Sequence, residues 1–163
     1  MFDDMKANIP DWSDDSIRGY ITKILNKEAF NRTGLVYGMG HAIYSVSDPR
    51  AEVLKSFAKK LSIEKGMEEE YDLYKRTARI AGELIAAKRK IYKGVSPNVD
   101  FYSGMIYRML KLPEELYTPI FAVARIAGWS AHRIEELQNA GKIIRPAYMC
   151  VKDRREYTPL SER

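Results

Sequence analysis

Asp48-Pro49-Arg50-Ala51-Glu52-Val53-Leu54-Lys55-Ser56-Phe57-Ala58-Lys59-Lys60-Leu61-Ser62-Ile63-Glu64-Lys65-Gly66 is the stretch that decides the fold class. Aspartate followed by proline starts a helix: the acid caps free amides, and proline at the first helical position has no amide to leave unbonded. Val53, Leu54, Phe57, Ala58 and Leu61 then recur at helical spacing and form the expected apolar face. Gly66 closes the helix. Directly downstream, Glu68-Glu69-Glu70 and Lys88-Arg89-Lys90 bracket a second helix. Acids at its front and bases at its back complement the helix dipole, so these charge runs read as helix ends rather than binding patches. Tyr71, Tyr74, Ala78, Ala81 and Ile85 supply its apolar face.

Outward from this pair the same signals repeat. Asp11-Trp12-Ser13-Asp14-Asp15 offers several caps for a helix over 14–26 carrying Ile17, Tyr20, Ile21, Ile24 and Leu25. Residues 34–42 are rich in glycine and read as a loop. Gly94 to Asn98 breaks the chain before a helical stretch from Val99 to about Lys111. A further helix starts near Leu112-Pro113-Glu114-Glu115, with Pro119 as a kink or second start. From Ile120 to Ala131 nearly every residue is apolar or small, which reads as a helix buried all round and ending near Asn139-Ala140-Gly141. Ile143, Ile144, Tyr148, Met149 and Val151 suggest one short strand, broken by Pro146. The expected architecture is all-α with at most that strand.

The 163 residues fit one domain, or one with an appendage. A hydrophobic share of 45%, a charged share of 30% and a mean hydropathy of −0.40 suit a folded globular chain rather than a disordered one. No apolar run is long enough to span a membrane, and Met1-Phe2-Asp3-Asp4-Met5-Lys6 lacks the basic and apolar regions of a secretory signal. The single cysteine, Cys150, leaves no internal disulfide and fits a reducing cytoplasm. Two histidines and one cysteine are too few for the usual zinc site, so no metal is expected. The net charge is +5 and the pI about 9.2, yet no basic run is longer than Lys88-Arg89-Lys90. Scattered cations suit anion pockets better than a nucleic-acid stripe.

Several residues are not explained by the fold. Arg125 lies in an apolar helix with no acid within four residues, so it either meets an anion or snorkels to the surface. His41 follows Gly38-Met39-Gly40, where two glycines let backbone approach a ligand; a plain turn-capping role is the alternative. His132, on the apolar helix, reads as a core or interface residue. Asp100 follows a Pro-Asn turn and is either an N-cap or a carboxylate within reach of a proton. Arg50 stands in a first helical turn, where the dipole disfavours a cation, which hints at a nearby anion. Arg145, before Pro146, is ambiguous alone. Together these groups suggest a carboxylate ligand, because arginine forks match carboxylates in a bidentate fashion.

Gly38-Met39-Gly40-His41-Ala42-Ile43-Tyr44, Asp48-Pro49-Arg50, Pro97-Asn98-Val99-Asp100, Ala124-Arg125-Ile126-Ala127-Gly128-Trp129 and Ile144-Arg145-Pro146 form an ordered set. Over residues 10–150 the chain thereby resembles the C-terminal part of citrate synthase, and the related 2-methylcitrate synthases share these blocks. The resemblance implies an all-α small domain over 1–104, which closes over substrates, and a segment over 105–163 that returns to the large domain. It also implies an acyltransferase that condenses acetyl-CoA, or propionyl-CoA, with oxaloacetate. Asp100 would be the general base and His41 would polarise the oxaloacetate carbonyl. Arg50 and Arg125 would hold its carboxylates, and Arg145 would be lent to the neighbouring subunit of a homodimer. Gly38, Met39 and Gly40 would receive the adenine of CoA. The implied chemistry uses no cofactor beyond the acyl-CoA substrate, no nucleic acid and no membrane.

One departure is large. The family carries an earlier histidine, in a Gly-Pro-Leu-His-Gly-like block, that hydrogen-bonds the enol(ate) oxygen, and these 163 residues contain no such block. Little synthase activity is therefore expected of the lone chain, and its apolar helix is expected to self-associate. A non-catalytic module binding CoA or a dicarboxylate is the alternative reading.

Overall fold

The computed structural model describes residues 1–44, 46–139, 151 and 156–162, and among these the chain forms six α-helices and no strand. They are α1 (Phe2–Asn8), α2 (Asp14–Leu25), α3 (Pro49–Lys65), α4 (Glu68–Arg89), α5 (Val99–Met109) and α6 (Tyr117–Gln138), with a 3-10 turn at Glu114–Leu116 before α6. The all-α expectation holds. The sequence signals act where expected: Ser13 caps α2, Asp48 caps α3 with Pro49 at its start, and Gly66 closes α3 at φ +64°. Pro119 falls in the first turn of an unbroken α6, where no amide donor is missed.

Two compact units divide the chain, Met1–Ile120 and Phe121–Arg163. In the first, α4 is the central element because it is apolar on two sides. Leu73, Ile80, Ala81 and Ile85 pack with Met5 of α1 and with Ile17, Ile21 and Ile24 of α2. Tyr74 and Ala78, on the other side, join Ala51 and Ala58 of α3 and Phe101, Tyr102 and Met105 of α5. Each fully buried isoleucine of α2 contributes roughly 1.5–3 kcal/mol relative to an exposed one.

Three expectations are corrected. The apolar face of α3 is rotated from the one read from periodicity: Ala58 is buried and Leu54 and Leu61 pack against the core as expected, but Val53 and Phe57 are exposed, and Ala51 and Ser62 are buried in their place. The stripe that packs runs through Ala51, Leu54, Ala58 and Leu61, one step round the helix from Val53 and Phe57. The second correction is α1, unforeseen in the sequence: Met5 is fully buried and the Phe2 ring stacks on Tyr74 at 3.5 Å between centroids. Phe2, Met5 and Ile9 carried the spacing that would have revealed it. The third is α6, expected to be buried all round, in which no residue is buried. An apolar run shows which surface needs cover, not that the chain supplies it. His132, expected in a core or interface, is exposed accordingly. Residues 143–150 of the expected strand, with Arg145 and Cys150, lie outside the described residues.

Candidate active site

The loop carrying Gly38, Met39 and Gly40 is stitched to the turn before α5. Met39 and Pro97 form an isolated antiparallel bridge, the Gly40 amide donates to the Ser96 carbonyl at 2.8 Å, and the Asn98 amide donates to the Gly38 carbonyl at 2.8 Å. Gly38 has φ +79°, and a Cβ there would stand 2.8 Å from Cα of Phe101, so only glycine fits this approach to α5. Sequence spacing alone leaves 38–41 and 96–100 unrelated. The fold places them side by side.

His41 is exposed at the end of this loop. Its Nδ1 accepts the backbone N–H groups of Ile43 and Tyr44, at 3.0 and 3.2 Å. In the neutral ring the proton therefore resides on Nε2. Nε2 in turn lies 3.3 Å from Nη2 of Arg50. Two donors thus face one another, and an acceptor oxygen placed beside both would satisfy each.

Arg50 carries a partner within its own tripeptide. Asp48 Oδ1 accepts from both the backbone N–H and Nε of Arg50 at 3.0 Å, and Oδ2 accepts from Nη2 at 2.8 Å. The Asp48 side chain is fully buried while Arg50 remains 38% exposed. Hydrogen bonds from the Arg50 side chain hold the Asp48 carboxyl down at about 2, against the upward push of burial. The nearby anion inferred from Arg50's position is thus Asp48, read from sequence only as a cap. The same pairing raises Arg50 further above its already high range, and Asp100 adds to that field. Arg50 also lies over the Tyr44 ring, 5.6 Å from its centroid.

Asp100 is not the N-cap of α5. Asn98 takes that position, accepting the Asp100 amide on its side-chain oxygen at 3.0 Å. The Asp100 carboxylate is exposed and makes no hydrogen bond or ion pair among the described residues. It lines a cleft of about 750 Å³ together with Gly38, Tyr37 and Arg108. A separate cavity of about 450 Å³ is lined by Met39, Gly40 and His41, with Ile85, Arg89 and Lys93 across from them. Arg89 and Lys93 were missed as site residues because Arg89 is accounted for as a helix end. Neither forms an ion pair with a described residue, and both lie on the wall of a partly apolar cavity. Arg125, described within its own unit, is exposed and lies 5.0 Å from the centroid of the Phe121 ring, so it reaches solvent rather than a core. No group of three or more metal-ligating side chains occurs among the described residues. No helix among them is long and apolar enough to cross a membrane.

On this helical scaffold a loop imidazole stands beside an arginine fork, while the Asp100 carboxylate lines a separate cleft on the other side of the Gly38 loop's attachment to α5. The chain belongs to the citrate synthase family: residues 1–147 match the family model described as "Citrate synthase, C-terminal domain". It is 39% identical over 151 residues to the citrate synthase of Synechocystis, covering 91% of this chain and 35% of that one. Citrate synthase 2 of Bacillus subtilis is 36% identical over 149 residues, covering 88% and 38%. Among solved structures, a ternary complex of Thermoplasma acidophilum citrate synthase with carboxymethyl coenzyme A and oxaloacetate superposes with a TM-score of 0.63. It has 29% identity, over 98% of this chain and 40% of that one. Citrate synthase from Thermotoga maritima gives a TM-score of 0.55 at 32% identity, over 93% and 38%. The chain thus spans between a third and two fifths of the length of these relatives.

Proposed function

We propose that this chain supplies the C-terminal part of a cytoplasmic citrate synthase, which condenses acetyl-CoA with oxaloacetate and water to give citrate and CoA. The observation that carries the reading is the pair of donors, His41 Nε2 and Arg50 Nη2, 3.3 Å apart, with Arg50 in the field of the Asp100 carboxylate. In this reading Asp100 removes a proton from the acyl methyl group. The resulting enol(ate) carbon attacks the oxaloacetate carbonyl carbon, and His41 donates its Nε2 proton toward the oxygen that gains charge. Hydrolysis of the thioester then releases CoA. Arg50 holds one oxaloacetate carboxylate by the donors that Asp48 leaves free, which requires no metal.

Arg125 serves a second carboxylate, and Arg145 acts in the neighbouring site of a homodimer. The loop of Gly38, Met39 and Gly40 takes the adenine. Arg89 and Lys93, on the wall of the cavity that this loop lines, are suited to phosphate groups of the same molecule. The domain division after Gly104 belongs to this reading of the whole enzyme.

Only two histidines, His41 and His132, occur in the 163 residues, and no Gly-Pro-Leu-His-Gly-like block is present to supply the second donor to the enol(ate). Loss of one such donor costs about 10²–10³-fold elsewhere. Calorimetry should therefore detect binding of oxaloacetate and of CoA to the chain, each weakened at least tenfold by Arg50→Ala and Arg89→Ala respectively. An assay for released CoA thiol should give little or no turnover. Absence of binding to both ligands would sink the proposal, and robust turnover by the chain alone would refute the assignment of a missing donor.

A further inference from the structure

We propose that Asn98 is a positioning residue whose side-chain amide keeps the His41 loop in register with Asp100. Its two ends do different work. The oxygen accepts the Asp100 backbone N–H at 3.0 Å, fixing the first turn of α5, while the nitrogen donates to the Gly40 carbonyl at 2.8 Å. Gly40 directly precedes His41, and Asp100 stands two residues beyond Asn98. One planar group therefore links the residue before His41 to the backbone of Asp100.

Capping alone does not account for an amide here. Aspartate, serine and threonine cap helix N-termini about as well as asparagine. A carboxylate, however, has no proton to give the Gly40 carbonyl, and a single hydroxyl is too short to serve both partners. The surrounding backbone bonds, from Gly40 to Ser96 and from Asn98 to Gly38, close a small ring that the Asn98 amide braces. A ligand that moves Gly40 accordingly moves the start of α5, so contact at the glycine loop is transmitted to the Asp100 carboxylate. The inference rests on the preceding reading only in treating His41 and Asp100 as a working pair.

Asn98→Asp and Asn98→Ser retain the cap and lose the bond to Gly40, whereas Asn98→Ala loses both. With the 15N-labelled full chain, the first two variants should leave Asp100 amide exchange within about twofold of wild type. They should shift the 15N resonance of the His41 amide, whose peptide carbonyl at Gly40 loses its hydrogen bond, and alter the His41 ring nitrogen signals. Asn98→Ala should do the same and also speed Asp100 amide exchange. Unchanged His41 amide and ring signals in Asn98→Asp would overturn the proposal. So would a uniform rise in exchange that includes core amides such as Ile21, because that is the mark of a merely structural residue. Wild-type chain that binds neither CoA nor oxaloacetate would fail the enzymological reading, while the resonance and exchange data would still decide the role of Asn98.

Discussion

Asp48 caps α3, grips Arg50 at three points and lies in the field of His41, all from a carboxylate fully shielded from water. Its folded-state value of about 2 lies below the ordinary aspartate value near 4, so the unfolded chain binds its proton first. The stabilisation it gives is complete above about pH 4 and is lost as pH falls through about 2. Thermal melts should show a stability gap between wild type and Asp48→Asn that is flat from pH 7 to pH 4 and narrows below. A gap that widens on acidification would contradict the pairing. At this scale the sequence shows the right residues and hides their partners. Asp48 and Arg50 are two positions apart and were legible as a helix start, yet only the fold reveals that the cap is also the counter-ion. Asn98 was visible as part of a turn, and nothing in its spacing pointed to Gly40, 58 residues away.

Apart from α1 and the Asn98 cap of α5, the helices and the caps of α2 and α3 were legible element by element, because proline, serine and glycine act through the few bonds next to them. Which face packs was less so. In α3, Val53 and Phe57 were read on one face with Leu54, Ala58 and Leu61, and packing against α5 turns the side carrying Ala51, Leu54, Ala58 and Leu61 inward and leaves Val53 and Phe57 out. Glycines inside helices make the distinction testable. Gly19 in α2 has open space where a Cβ would stand, so Gly19→Ala should raise stability by about 0.5–1 kcal/mol through helix propensity. Gly82 in α4 lies against the loop that borders the His41 cavity, and a Cβ would be 2.8 Å from the Val95 carbonyl oxygen. Gly82→Ala should therefore lose about 1–3 kcal/mol despite the better propensity. Denaturant midpoints of the two variants should move in opposite directions.

Over the whole molecule, the first unit buries a core between its helices, whereas α6 buries no residue. Phe121, Val123, Ile126, Trp129, Ile134 and Leu137 are each at least 41% exposed. An apolar surface of this kind favours association, so sedimentation should show concentration-dependent oligomers that Val123→Ser with Ile126→Ser reduces. A monomer unaffected by these changes at high concentration would contradict that expectation. The apolar run was plain in the sequence, but burial depends on neighbours, and the chain spans 35–40% of its relatives. The distribution of the two tryptophans follows from the same division. Trp12 is half-buried in the first unit, where its carbonyl accepts from Arg76, and Trp129 stands exposed in the second. Each unit thus contains its own intrinsic fluorophore, and emission separated by a water-soluble quencher reports on the melting of one without labelling the other.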